Sequence, residues 1–208
     1  MSFCPAIDKF LASLGKPKAP SGVLVVIIGH GVGTDKGAYG TAPLSMYEYP
    51  YNTLVAHDMA AYAKTRGLNC TILNKHGSST AAIGTTANTI VAEYGNKGCV
   101  IELHFNSYNG SVSGTETLYD TREADNKLFA GICQRRMVAL FKRPDRGLKD
   151  RTVGRGGENL SSVKVTSCLV EPLFGDNVTD VTLLKDKRAE YARCLVEAAI
   201  EYIALKST

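Results

Sequence analysis

The chain has 208 residues, 44% hydrophobic and 21% charged, with a net charge of +4. This is the ordinary mix of a soluble globular protein, and a domain of this length buries enough surface to need no disulfide staples. The mild positive balance is compatible with an anionic partner and names none, while no run approaches the roughly 20 apolar residues of a membrane span, which excludes stable membrane insertion.

Residues 1–15 place Phe3, Ile7, Phe10, Leu11 and Leu14 at helical spacing, and GKPKAPSG then breaks the pattern as a linker. The expected organisation is an N-terminal segment and linker over 1–22 followed by a single catalytic domain over 23–208. The opening segment lacks the basic start and apolar stretch of a secretory signal, so synthesis in the cytoplasm is expected. Six cysteines occur without any Cys-x-x-Cys pair. Most lie in apolar runs, which predicts buried free thiols rather than a zinc ribbon or redox pair.

From residue 23 strands and helices alternate. VLVVII (23–28) reads as a strand buried on both faces. A helix is predicted over 52–66, stopped by Gly67, then a strand at CTIL, a helix over 87–94 and a strand over 99–105. GTETLY (114–119) is short and alternating, 123–141 is helical, 167–174 is another strand, and 183–205 is one long helix. Such alternation predicts an α/β fold: a central, mostly parallel or mixed sheet with helices on both faces. In sheets of this kind the site lies beyond the carboxyl ends of the strands.

Three predicted strands end at a polar group: His30, His104 and Glu171. An ionisable group at the exit of a buried strand must be paired, solvated or bound to metal. Imidazole nitrogens with a carboxylate oxygen suit zinc with one position open to water, and a further carboxylate accepts a proton. The glycines of GHGVGTDKGAYG do not make a dinucleotide-binding turn, because the spacing is wrong and no helix follows at once. The run from Lys142 to Arg155 is rich in basic residues. It reads equally as a solvated face or as the border of a cleft that meets substrate carboxylates, with Lys149 and Arg155 as candidate substrate-binding residues. Aromatic interleaving for stacked bases is absent, so no nucleic-acid partner is expected.

Six segments, in order between about residues 23 and 205, resemble the zinc-dependent N-acetylmuramoyl-L-alanine amidases, the family of cell-separation amidases and many phage endolysins. GHGVGTDKGAYG is similar to the opening metal motif, and Glu48 with Asn52 and Leu54 to the segment that supplies a second ligand. ELHFNS is similar to the strand with the second histidine, GTETLY to a glycine-threonine-glutamate segment, DRGLK to the loop before the last strand, and LVEPLFGDN to that strand. The resemblance implies that His30, Glu48 and His104 hold one Zn2+ and that Glu171 is the catalytic carboxylate. The chain departs from the pattern in carrying Glu102 where the family often has serine, and Ile27–Ile28 where it has an aspartate–proline pair. Glu102 and Asn106 are candidates for a supporting role around the ligands, and Glu102 shares a strand face with His104.

The resemblance thus implies hydrolysis of the amide between the muramic lactyl group and L-alanine in bacterial peptidoglycan, by a monomeric, phage-type endolysin acting on the wall after release. The alternatives are a zinc peptidase cutting within the stem peptide and an inactive wall-binding protein on the same scaffold.

Overall fold

The protein is described by a computed structural model covering residues 21–31, 33, 35–75, 78–151 and 156–207. The predicted helix over 1–15, Cys4 and Arg155 lie outside the described residues. Among the described residues eight strands and six helices follow in chain order. They are β1 (Val23–Ile28), β2 (Tyr39–Gly40), β3 (Met46–Tyr47), α1 (Glu48–Arg66), β4 (Asn69–Asn74), α2 (Thr80–Glu93), β5 (Gly98–Leu103), β6 (Thr115–Tyr119), α3 (Asn126–Phe141), β7 (Asp145–Asp150), α4 (Gly157–Ser162), β8 (Ser167–Glu171), α5 (Val178–Asp186) and α6 (Arg188–Leu205).

Six strands form one sheet in the order β4-β1-β5-β8-β6-β7, and β2 pairs with β3 as a small ribbon. The first four are parallel, while β6 runs antiparallel to β8 and parallel to β7. The sheet is therefore mixed. Alternation along each strand divides its residues between two cores. Leu24, Val26, Ile101 and Val170 pack toward α1, α3 and α6, whereas Val23, Val25, Ile27 and Val100 pack toward α2. Both faces are covered, which is why β1 is apolar without a break and β5 is apolar but for Glu102. No described helix is long and apolar enough to cross a membrane.

Several elements differ from the sequence-based expectation: α2 begins at Thr80, seven residues earlier than predicted, and β2, β3 and α4 have no predicted counterpart. Three further differences have clear causes. α1 begins at Glu48, four residues earlier than predicted, because Pro50 falls in the first turn, where a missing N–H breaks no helical bond. The single long C-terminal helix is two, separated at Lys187, whose φ of −111° leaves the helical range. The basic run contains β7, an edge strand: only Leu148 of its residues packs against the larger core, so it shows little apolar signal. Charge on such an edge also discourages pairing with other chains.

The five described cysteines, Cys70, Cys99, Cys133, Cys168 and Cys194, are free thiols.

Candidate active site

The sheet order explains why distant residues meet. β1, β5 and β8 are neighbours with Ile28 level with Leu103 and Leu103 level with Val170. The residues that follow therefore emerge side by side at one edge. His30 turns back over that edge with φ of 63°, in the left-handed region. Gly29 makes the turn possible: a Cβ there would lie 2.4 Å from Leu103 O and 2.5 Å from the His104 ring. At Gly37, with φ of 74°, a Cβ would meet Glu48 Oε2 and His30 Cδ2, both at 2.6 Å. Bare backbone at these two positions lets the loop close on the site.

Glu48 enters as the first residue of α1, 2% exposed. Its Oε1 accepts from Phe105 N at 3.0 Å and its Oε2 from Ala38 N at 3.1 Å. Asn52, one turn on, donates to Leu103 O at 3.0 Å and ties the helix to the end of β5. The carboxylate is thus aimed between the two histidines: Oε1 lies 2.8 Å from His104 Nδ1 and Oε2 lies 3.3 Å from His30 Nε2. Each ring has a second acid at its other nitrogen. Asp35 Oδ1 is 2.7 Å from His30 Nδ1, and Glu102 Oε1 is 2.8 Å from His104 Nε2.

These contacts set the charges. Burial opposes a charge on His104, but its hydrogen bonds to Glu102 and Glu48 prevail and raise it to about 10. Burial likewise opposes ionisation of Glu48, yet the bonds from His104 and His30 bring it down to about 2. His30 is raised against its own burial by Glu48, and Glu102 is lowered against burial by His104 and Lys75. The carboxylates are charged and the pocket between them demands positive charge.

His30, Glu48 and His104 each offer one ligand atom within 4.8 Å of the others. Two imidazoles and one carboxylate at this separation fit a zinc ion with a coordination position to spare. The cluster opens into a cleft of about 500 Å³, lined among others by Asp35, Asn159 and Glu171.

The Amidase_3 family profile, described as N-acetylmuramoyl-L-alanine amidase, matches residues 24–201. The chain belongs to this family. Solved structures of amidases share the fold at low identity. The catalytic domain of CwlV from Bacillus (Paenibacillus) polymyxa var. colistinus is 21% identical, with a TM-score of 0.70 over 88% of this chain and 98% of that one. The catalytic domain of the CD27L endolysin targeting Clostridia difficile is 23% identical, with a TM-score of 0.70 over 85% and 96%. Ami1 from Mycobacterium smegmatis is 17% identical, with a TM-score of 0.72 over 90% and 99%. No curated protein matches the sequence.

Within this amidase the structure gathers His30, Glu48, His104 and Glu171 around one cleft and brings Glu102 against His104. Asn106 stands one step further away, donating to Glu116 Oε1 at 2.8 Å, and Glu116 is level with Glu171 across β6 and β8. Lys149 is half-buried on β7 opposite Leu118 and is not among the described residues that line the cleft. Sequence reasoning gives no role to Lys75 and Asn159, which both donate to Glu102 Oε1. Lys75 follows directly on β4, and its position after a strand is the one signal available; Asn159 lies in GENLSS, where no periodicity marks it.

Proposed function

We propose that this amidase is zinc-dependent, with His30, Glu48 and His104 as ligands and Glu171 as the proton carrier. The observation that supports this most is the convergence of the three donors beside Glu171 in one cleft, in a chain that matches the family over residues 24–201. When bound, zinc supplies Lewis acidity to the scissile carbonyl and to a water. Glu171, 4% exposed at the end of β8, takes the proton from the attacking water and passes it to the departing nitrogen of L-alanine. The ligand carboxylate and two neutral imidazoles leave the centre net positive, which keeps it electrophilic.

The bond cut is the lactyl amide of muramic acid, which releases intact stem peptides and leaves the glycan whole. Digestion of purified peptidoglycan followed by mass spectrometry tests this. New amino groups on L-alanine are expected, with no new reducing ends; new amino groups elsewhere in the stem would make the protein an endopeptidase. Metal analysis should find about one zinc per chain, and full activity after exhaustive chelation would remove zinc from the reading. Glu171→Gln should keep its zinc and lose about 10²–10⁴-fold in rate.

The biological setting we propose is lysis of the phage endolysin type by a monomer made in the cytoplasm. The five free thiols support synthesis in a reducing compartment, and the likeness to the endolysin catalytic domain supports the type at the level of fold.

A further inference from the structure

Glu102 takes no part in the chemistry above, yet it is buried against a ligand histidine and held there by three hydrogen bonds. It is 4% exposed, and its Oε1 accepts from His104 Nε2 at 2.8 Å, Lys75 Nζ at 2.5 Å and Asn159 Nδ2 at 2.7 Å. The other ring nitrogen, Nδ1, faces Glu48 Oε1 at 2.8 Å, on the side where His30 also reaches Glu48. The two nitrogens of His104 therefore have separate assignments. Which nitrogen of an imidazole is free to bind a metal is decided by the hydrogen bond that the other one donates. A second buried carboxylate would also add negative charge beside the ligands and be costly to bury alone. Lys75, whose side chain is 13% exposed, offsets that charge.

We infer that Glu102 is a positioning residue for His104, with Lys75 as its counter-charge; the inference rests on the zinc reading above. Glu102 accepts the Nε2 proton, so Nδ1, which faces Glu48, is the nitrogen that would give up its proton and hold the metal, and the Lys75 ammonium balances the Glu102 charge. Asn159 joins the same oxygen to α4, on the wall of the cleft. The arrangement makes Lys75 matter through Glu102. Beside the carboxylate it balances charge. Without the carboxylate it becomes a bare cation near the metal and repels it.

The test is zinc affinity by chelator competition at pH 8 for the wild type, Glu102→Gln, and Glu102→Gln combined with Lys75→Met. Melting of the zinc-free proteins serves as the control for folding. Glu102→Gln should bind zinc about 10–100-fold more weakly. Removing Lys75 from that variant should recover roughly threefold or more, a non-additive result that structural damage does not produce. Long-range 1H–15N spectra of the zinc-loaded wild type should show one ring bound through Nδ1 and protonated at Nε2. Wild-type affinity in Glu102→Gln, or a double variant no better than the single, would overturn the inference. A wild type that binds no zinc would instead overturn the metal reading, and this inference with it.

Discussion

His30 and His104 are the same residue type with ring centroids 4.9 Å apart, and they share one carboxylate, Glu48. Their surroundings are otherwise opposite. His104 is 8% exposed at the end of a central strand, and its second acid, Glu102, is buried and tied to Lys75 and Asn159. His30 rides a loop with φ of 63°, and its second acid, Asp35, has a side chain that is 74% exposed. One wall of the site belongs to the core of the sheet and the other to a loop laid over it. The deep wall is set when the sheet forms, whereas the outer wall depends on close approach of bare backbone. A site built this way holds one ligand rigid while leaving the substrate side open.

The comparison breaks most sharply at the histidines themselves. His104→Ala should abolish zinc binding and also destabilise the zinc-free fold by about 3–5 kcal/mol, since it leaves Glu48 and Glu102 buried without their shared partner. His30→Ala should abolish zinc binding with a smaller change of about 1 kcal/mol, since Asp35 is largely in water and Glu48 keeps its bond to His104. Calorimetric zinc titration and denaturant melts of the two variants check this, and equal destabilisation would erase the distinction between the walls.

At the glycines the effect is smaller. Gly29→Ala places a methyl 2.5 Å from the His104 ring, and overpacking of this kind costs about 1–3 kcal/mol; it should weaken zinc binding as well. Gly33→Ala, with φ of 93° and open space around it, should show only backbone strain of about 1–2 kcal/mol and unchanged zinc affinity. Comparing the two in the same titration separates collision from strain.

The zinc-free protein should also report the deep wall through pH. His104 is raised from 6.5 to about 10 in the folded state, so its contribution is complete below about 6.5 and is lost as pH rises toward 10. Glu48 is lowered from 4.5 to about 2, so its contribution is complete above about 4.5 and is lost as pH falls toward 2. Zinc-free melting temperatures should therefore decline on both sides of a plateau between those limits, and a profile flat from pH 6.5 to 10 would argue against the buried imidazolium. The smallest expected effect is at Asp35→Asn. With its side chain largely in water, it should alter zinc affinity by less than about tenfold, below the range for a buried partner.

Much of this arrangement is legible in the amino-acid sequence, and the exceptions have physical causes. VLVVII and CVIEL announce buried strands because both faces are covered, and the polar residues just past them stand out against that background. Glu48 is obscured, since a proline two residues later reads as a break unless it is recognised as lying in a first turn. β7 escapes notice because an edge strand built largely from charged residues looks like a solvated loop. The break at Lys187 is hidden by apolar spacing that continues through it. The donors around Glu102 leave little local trace: Lys75 is marked only by its place after β4, and Asn159 by nothing. They lie 27 and 57 positions away from it, so that only the sheet order β4-β1-β5 and the packing of α4 on β8 and α2 bring them near.

The neighbouring strands β1, β5 and β8 lie far apart along the chain, and parallel pairing of this kind joins segments through long crossovers. Such non-local contacts are slow to form during folding. The donor set therefore does not exist in the unfolded chain, nor in one that has joined only β1 to β4. An ion held by these residues binds the native state alone and stabilises it by mass action, by about 2.7 kcal/mol when its concentration is a hundred times the dissociation constant. On the proposed reading Glu171, carried by the last strand of the sheet in chain order, completes the machinery only when that strand is in place. A nascent or misfolded copy has neither the assembled donors nor the positioned acid, so the capacity to cut appears together with the finished sheet.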